Sequence, residues 1–230
     1  MDTARIATLL APFLAKPLSP SQLGQISTYI DLLLRWNARM NLTAIRNEEE
    51  IVTRHFGESL FLAGHVLRND SAESESPRSR AGDLSQFHLG EPLRVADIGS
   101  GAGFPAIPLK IWSPAIDLTL IESNHKKATF LRELARALAM KGVEVRTERA
   151  ETLADDPSFP RTQLVTLRAV EHFEAILPQA EALLAPDGTL ALLIGSAQLP
   201  PLNRLTRLTW NAPIPVPQSE TRVLSIGVRQ

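Results

Sequence analysis

Val95-Ala96-Asp97-Ile98-Gly99-Ser100-Gly101-Ala102-Gly103-Phe104-Pro105 is the stretch on which the reading turns. The run Leu93–Ile98 is short and apolar, as expected of a strand buried on both faces. It stops at a GxGxG turn, and Pro105 suits the first turn of a following helix. Open α/β sheets bind ligands at such strand-to-helix turns, outside the carboxyl ends of the strands. Glycine lets the backbone take special angles there, and lets a ligand lie directly on the main chain. A dinucleotide fold would instead show GxGxxG with its third glycine in the helix, so a nicotinamide dehydrogenase is disfavoured. Asp97 either fixes the loop through backbone N–H groups or reaches polar groups of a ligand.

Downstream, the strand–helix alternation continues. Strands are expected over 117–121, 143–147, 164–167 and 189–194, with helices over 126–139 and 171–184. Pro186-Asp187-Gly188 reads as a turn. The segments 205–210 and 222–228 flank a Pro-rich connector and read as a closing hairpin on one edge. Alternation of this kind makes a mostly parallel, doubly wound sheet. The second strand ends in Glu122, where a carboxylate can accept from both hydroxyls of a ribose. Acidic groups at the first two strand ends suit a positively charged nucleoside, and S-adenosylmethionine is such a ligand.

Upstream, the pattern is helical. Ile6, Leu9, Leu10, Phe13 and Leu14 share one helix face, and a second helix is expected over 21–40. A third opens at Asn47, with Glu50 placed to complete a capping box, and lines Val52, His55, Phe56, Ser59, Leu60, Ala63 and Leu67 on one side. Between helices and sheet, 69–92 is polar and Ser-rich and reads as a flexible insertion. The expected organisation is a helical cap over 1–68, the insertion over 69–92 and an α/β core over 93–230.

Composition narrows the chemistry. Lys+Arg 24 against Asp+Glu 25 leaves a net charge of −1, so bulk coating of nucleic acid is disfavoured while local basic patches stay open. The chain has no cysteine, which excludes disulfides, thiolate zinc sites, Fe–S clusters and the covalent cysteine route to pyrimidine C5. No metal site is expected. No apolar run reaches the ~18 residues of a membrane-spanning helix, and Asp2 argues against a signal peptide at the N-terminus. A cytoplasmic monomer without membrane contact is the expectation.

Further motifs make the chain recognisable. Arg35-Trp36-Asn37 precedes Met40-Asn41-Leu42-Thr43-Ala44, and Arg54-His55-Phe56 precedes Ser59-Leu60. The Gly turn continues into Ile107-Pro108-Leu109, and Arg168-Ala169-Val170 follows the fourth strand. With these the sequence resembles, over most of its length, the bacterial small-subunit rRNA guanine-N7 methyltransferases, also called the glucose-inhibited division protein B family. The resemblance implies a Rossmann-like class I methyltransferase fold, with a seven-stranded sheet and an N-terminal helical cap. It implies S-adenosylmethionine as donor and N7 of a guanine in 16S rRNA as acceptor. Donor-holding positions of the family match Gly99, Phe104, Ala150, Glu151 and Arg168, while Asn41 and Arg149 match positions near the active site. The sequence departs from the family at Ala106 (usually Gly), at Glu58 (usually Asp) and at Ile194-Gly195 (often Lys-Gly).

The chemistry fits independently. Guanine N7 presents an in-plane lone pair and no hydrogen, so no general base is needed. Positioning of donor and acceptor can supply ~7–11 kcal/mol. With the positions that the resemblance implies added, the expected donor site is Asp97, Gly99, Gly101, Phe104, Glu122, Ala150, Glu151 and Arg168. Arg168 and Asn41 are the expected catalytic pair, and Asn41, Arg149, Lys126 and Lys127 are expected to contact the acceptor. Arg168 also has a plainer reading, a strand-end cation paired with a carboxylate. Arg35, Arg39, Arg46, Arg54, Lys126, Lys127, Arg132 and Arg136 form either a phosphate-reading rim or solvated helix faces. His55, on an apolar face, reads as a core histidine before a catalytic one. Two other functions compete: methylation of a metabolite or protein, and a ribosome-assembly factor that only binds the donor.

Overall fold

A computed structural model describes residues 1–67 and 92–230. The expected Ser-rich insertion lies, except for Pro92, outside the described residues. The N-terminal helices are α1 (Thr3–Leu10), α2 (Pro20–Asn37), α3 (Glu48–Ile51) and α4 (Glu58–Val66). The capping box falls at α2: Ser19 Oγ accepts from Gln22 N, and Gln22 Oε1 accepts from Ser19 N. At α3 only half of the expected box forms. Asn47 Oδ1 accepts from Glu50 N, but the Glu50 carboxylate turns forward to Arg54 at 3.0 Å. Between α3 and α4 the helix widens into one π-helical turn, Val52–Gly57, a feature no periodicity in the sequence announces.

The core alternates as β1 (Arg94–Ile98), α5 (Ala106–Trp112), β2 (Asp117–Ile121), α6 (His125–Ala137), β3 (Val143–Arg146), α7 (Ala150–Asp155), β4 (Thr162–Arg168), α8 (Phe173–Ala182) and β5 (Leu184–Gly195). It closes with β6 (Leu208–Trp210), β7 (Ile214–Pro215) and β8 (Arg222–Arg229). The short helix α7 was not expected. The Pro186-Asp187-Gly188 turn is instead an irregularity inside β5: Leu184 already pairs with Thr162, the register shifts before Leu164, and Asp187 takes φ +59°.

Seven strands run in the order β3-β2-β1-β4-β5-β8-β6, with β7 as a second edge partner of β8. The first five are parallel to one another, and β8 is antiparallel to β5, β6 and β7. The order reverses between β1 and β4, the switch point at which such sheets open a crevice. Side-chain alternation along β5 sends Leu190, Leu192 and Ile194 to one face and Ala191 and Leu193 to the other. The first set packs with α7, α8 and Leu202. The second joins one apolar cluster that holds Ile6, Ile30 and Leu60 of the N-terminal helices together with Ile107 and Leu131 of α5 and α6. The cap thus shares a core with one face of the sheet, each fully buried aliphatic side chain contributing ~1.5–3 kcal/mol.

Candidate active site

A cleft of about 560 Å³ opens at the carboxyl ends of β1 to β4. Four strand ends line it: Gly99 after β1, Glu122 after β2, Glu148 and Arg149 after β3, and Ala169 to His172 after β4. The Gly turn is pinned to its neighbour strand, since Gly99 N and Ser100 N both donate to Ile121 O, at 2.9 and 3.1 Å. Gly99, Gly101 and Gly103 all sit at positive φ, which side-chain-bearing residues rarely adopt. At Gly99 an added Cβ would also lie 2.8 Å from Val170, and at Gly103 it would lie 2.6 Å from the Tyr29 hydroxyl. On the far wall, Ala169 and His172 are non-glycine residues at φ +49° and +52°. Such backbone is held only where its surroundings over-determine it.

Glu122 is buried, 7% exposed, and each of its oxygens takes one backbone N–H: Oε2 from Gly101 and Oε1 from Asn124, at 2.9 and 2.8 Å. A carboxylate offers about four lone-pair sites, so roughly two remain for a ligand. Asn124 caps α6 by accepting from Lys126 N and Lys127 N. This places the half-buried Lys127 side chain in the cleft wall, while exposed Lys126 is not part of the lining. Arg149 and Ala150 begin α7, with Glu151 in its first turn, and all three line the cleft.

The remaining expected site residues lie behind or beside this cavity. Asp97 is 1% exposed and accepts the Thr166 hydroxyl at 2.6 Å. Burial, reinforced by the Glu122 charge and opposed by hydrogen bonds, pushes its carboxyl up to about 7. It braces the turn from below and does not reach the cleft surface. Phe104 is also interior. Its ring stacks on Tyr29 at 5.0 Å and on His55 at 4.6 Å, with Phe56 edge-on at 5.1 Å. The Tyr29 hydroxyl donates to the Ala102 carbonyl, so α2 holds the Gly turn directly.

Arg168 takes the paired position. Its side chain is 9% exposed, and Nη2 donates to the Arg54 carbonyl at 2.7 Å and lies 3.3 Å from Glu58 Oε2. Arg222 reaches the other oxygen of Glu58 at 2.8 Å. Burial raises the Glu58 carboxyl and lowers the Arg168 guanidinium to about 10, each shift opposed by the partner's charge. Arg168 therefore carries a proton at neutral pH and is no base.

Asn41 stands exposed on the loop between α2 and α3. That loop is folded by Asn37, whose Oδ1 accepts from Leu42 N and Thr43 N and whose Nδ2 donates to Thr43 O. Thr43 Oγ1 lies 2.7 Å from His55 Nε2. Burial, with the charge of nearby Arg168, drops the His55 ring to about 3, so it is neutral over the working range. The N-L-T and R-H-F motifs thus form one chain of contacts from the cap loop through His55 and Phe104 to the Gly turn.

Of the expected basic rim, Arg54 pairs with Glu50, Arg132 donates to Val145 O and Thr147 Oγ1, and Arg35 donates to Asp31 O. Sequence reasoning missed Ser123, Asn124, Glu148, Glu171, His172, Ala175 and Ile176 in the cleft wall. Position right after a strand end was the available signal for Ser123, Glu148 and Glu171. It also missed Arg222, which nothing local distinguishes.

The donor implied by these strand ends fits the residues present. Glu122 keeps lone pairs free beside the turn, the glycines leave bare backbone, and the cavity has room for a nucleoside. This fold with this cleft defines a class I S-adenosylmethionine-dependent methyltransferase, an enzyme. A family model described as rRNA small subunit methyltransferase G matches residues 22–73 and 83–210. The chain is 36% identical over 183 residues to ribosomal RNA small subunit methyltransferase G of Streptococcus suis, covering 78% of this chain and 68% of that protein. It is 36% identical over 177 residues to the protein of the same name from an Exiguobacterium species, covering 76% and 66% respectively. A ribosomal protein L11 methylase from Lactobacillus delbrueckii shares the fold at TM-score 0.53 and 17% identity, over 76% of this chain and 80% of that one. The chain belongs to the rRNA small subunit methyltransferase G family. No helix among the described residues is long and apolar enough to cross a membrane.

Proposed function

We propose that this chain methylates N7 of one guanine in 16S rRNA of the small ribosomal subunit, in the cytoplasm and as a single chain. S-adenosylmethionine, when bound, supplies an electrophilic methyl group on its sulfonium. Glu122 would hold the ribose through its remaining lone pairs, the Gly99 and Gly101 backbone would lie against the nucleoside, and Ala150 with Glu151 would close the far side. Asp97, Phe104 and Arg168 act from behind as positioning residues: they fix the turn and the end of β4 instead of touching the reacting atoms. Asn41, carried on a loop that Asn37 and Thr43 hold rigid, orients the base edge, and Arg149 and Lys127 take neighbouring groups of the acceptor.

One observation carries the choice of N7. The end of β4 is Arg168-Ala169-Val170, with the arginine locked as a cation between Glu58 and the Arg54 carbonyl. Arg168 offers neither a cradle for an exocyclic amine nor a base to take a proton. Ring N7 needs neither, and in-line positioning suffices. Mass spectrometry of rRNA nucleosides from cells with and without the gene tests this reading. Loss of 7-methylguanosine from the small subunit is expected. Unchanged 7-methylguanosine, or labelled methyl transfer to a metabolite panel in place of small subunits, would reject it.

A further inference from the structure

Three arginines from distant parts of the chain converge beside the cleft: Arg54 in the π-helical turn, Arg168 at the end of β4 and Arg222 at the start of β8. Glu58 faces both Arg168 and Arg222, and Arg54 is neutralised by Glu50 on its own helix. The interior of the cluster therefore holds two guanidinium charges against one carboxylate. Its hydrogen bonds are also incomplete. Three donors, Arg54 Nε, Arg168 Nη1 and Arg222 Nε, and one acceptor, Glu58 Oε2, are each buried with no hydrogen-bond partner among the described residues. Buried donor atoms left unmet on cations are costly, and folding alone gives no reason to gather three of them.

We propose that this cluster is an anion site that receives one phosphodiester group of the RNA strand whose base enters the neighbouring cleft. The proposal rests on RNA as the acceptor. A phosphodiester is permanently charged, and its two non-bridging oxygens match the planar forks of guanidinium groups. Side-chain exposure falls from 43% at Arg54 through 25% at Arg222 to 9% at Arg168, so the cluster runs from the surface inward. Arg54 and Arg222 lie outside the lining of the cleft, which separates this site from the carboxylate and ribose of the donor. Glu58 bridges Arg168 and Arg222 and offsets the repulsion between their like charges, which holds the two guanidinium groups close together. Arg168 joins the two sites, because its neighbours Ala169 and Val170 are part of the cleft wall.

The test compares the full-length protein with Arg54→Gln, Arg222→Gln and Arg222→Lys, and with Arg207→Gln, a charge-matched change at an exposed arginine outside the cluster. Donor affinity is read by calorimetry with S-adenosylmethionine. RNA engagement is read as KM for isolated small subunits and as the salt dependence of binding to naked small-subunit rRNA. The Arg54→Gln and Arg222→Gln variants should raise KM about 10-fold and flatten the log–log salt slope by about 0.7, one phosphate contact on a single strand. Donor affinity should stay within about twofold. Arg222→Lys should keep most of the salt slope, and Arg207→Gln should change nothing. If KM and slope hold while only thermal stability falls, the cluster is structural and the proposal fails. If donor affinity falls instead, the anion is the donor's carboxylate and the proposal fails. A wild-type protein that methylates no RNA would overturn the functional reading itself, whereas an active wild type with indifferent variants would overturn only the phosphate site.

Discussion

The cleft and the cap junction sit side by side at the same strand ends but are built by different means. Most of the cleft lining follows a strand directly: Gly99, Glu122, Glu148, Ala169. Its hydrogen bonds span few residues or one neighbouring strand, as from Gly101 to Glu122 and from Asn124 to Glu122. The cap junction joins Tyr29, His55, Glu58, Phe104, Arg168 and Arg222, whose contacts reach across 114 residues from Arg168 to Arg54. The cleft is polar, open backbone made to be covered by a ligand. The junction is rings and buried charge, assembled once when the chain folds. Local grammar thus suffices for a nucleoside pocket, while the surface that meets a large acceptor needs the whole fold.

Two buried carboxylates give the sharpest contrast. Glu58 is 3% exposed between Arg168 and Arg222, so Glu58→Ala should cost about 3–5 kcal/mol by leaving buried cations unmatched, read by chemical denaturation. A loss below ~1 kcal/mol would erase the distinction between the regions. On the cleft side, Glu122→Gln should weaken S-adenosylmethionine binding by roughly 10- to 100-fold, since charge-assisted bonds contribute about 1.5–3 kcal/mol, and should cost about 1–3 kcal/mol of stability, because its amide NH2 would face the backbone N–H of Gly101 or Asn124. Calorimetry showing unchanged donor affinity would remove Glu122 from the pocket.

pH separates the regions by sign. His55 in the junction has its ring lowered to about 3, so the folded state binds fewer protons than the unfolded state below about 6.5. Its contribution is present above that pH and is lost as pH falls toward 3. Asp97 under the Gly turn is raised to about 7, so stability declines as pH rises from about 4 to 7. His55→Gln should flatten the acid limb of a stability–pH curve, and Asp97→Asn the limb approaching neutrality. Each slope is at most about 1.4 kcal/mol per pH unit, the limit for one proton. Curves parallel to wild type in both variants would refute the assignment. The smallest effect belongs to Glu148, at the cleft mouth and 40% exposed against Arg146. Glu148→Ala should shift stability by less than ~1 kcal/mol in thermal melts, as exposed pairs do.

What could be read from the sequence follows the same division. The GxGxG turn, the strand end at Glu122 and the strand–helix alternation each depend on residues close together in the chain, so their periodicity and spacing are visible. Asn47 was legible as a cap because capping acts over three residues, but the partner of Glu50 was not, since Arg54 competes for it four residues on. Phe104 illustrates the limit. The family resemblance puts it among the donor-holding positions, yet Tyr29 and His55 draw the ring inward. Arg168 was visible as a strand-end cation, but its three-way setting was not, because Glu58 and Arg222 lie more than 100 residues before it and 54 after it. The start of β5 was hidden for another reason: an irregular register lets Leu184 pair across a segment whose Pro-Asp-Gly composition signals a turn.

The stacked rings of Tyr29, Phe104 and His55 also decide when disorder is lost at the glycines. A bare glycine loop is among the most entropically expensive stretches to freeze. Here the freezing happens during folding, through the N-terminal helices, so an arriving small molecule meets a loop already at rest and keeps more of its contact energy as affinity. Those helices are in this sense a thermal brake on the turn as well as a platform for the acceptor.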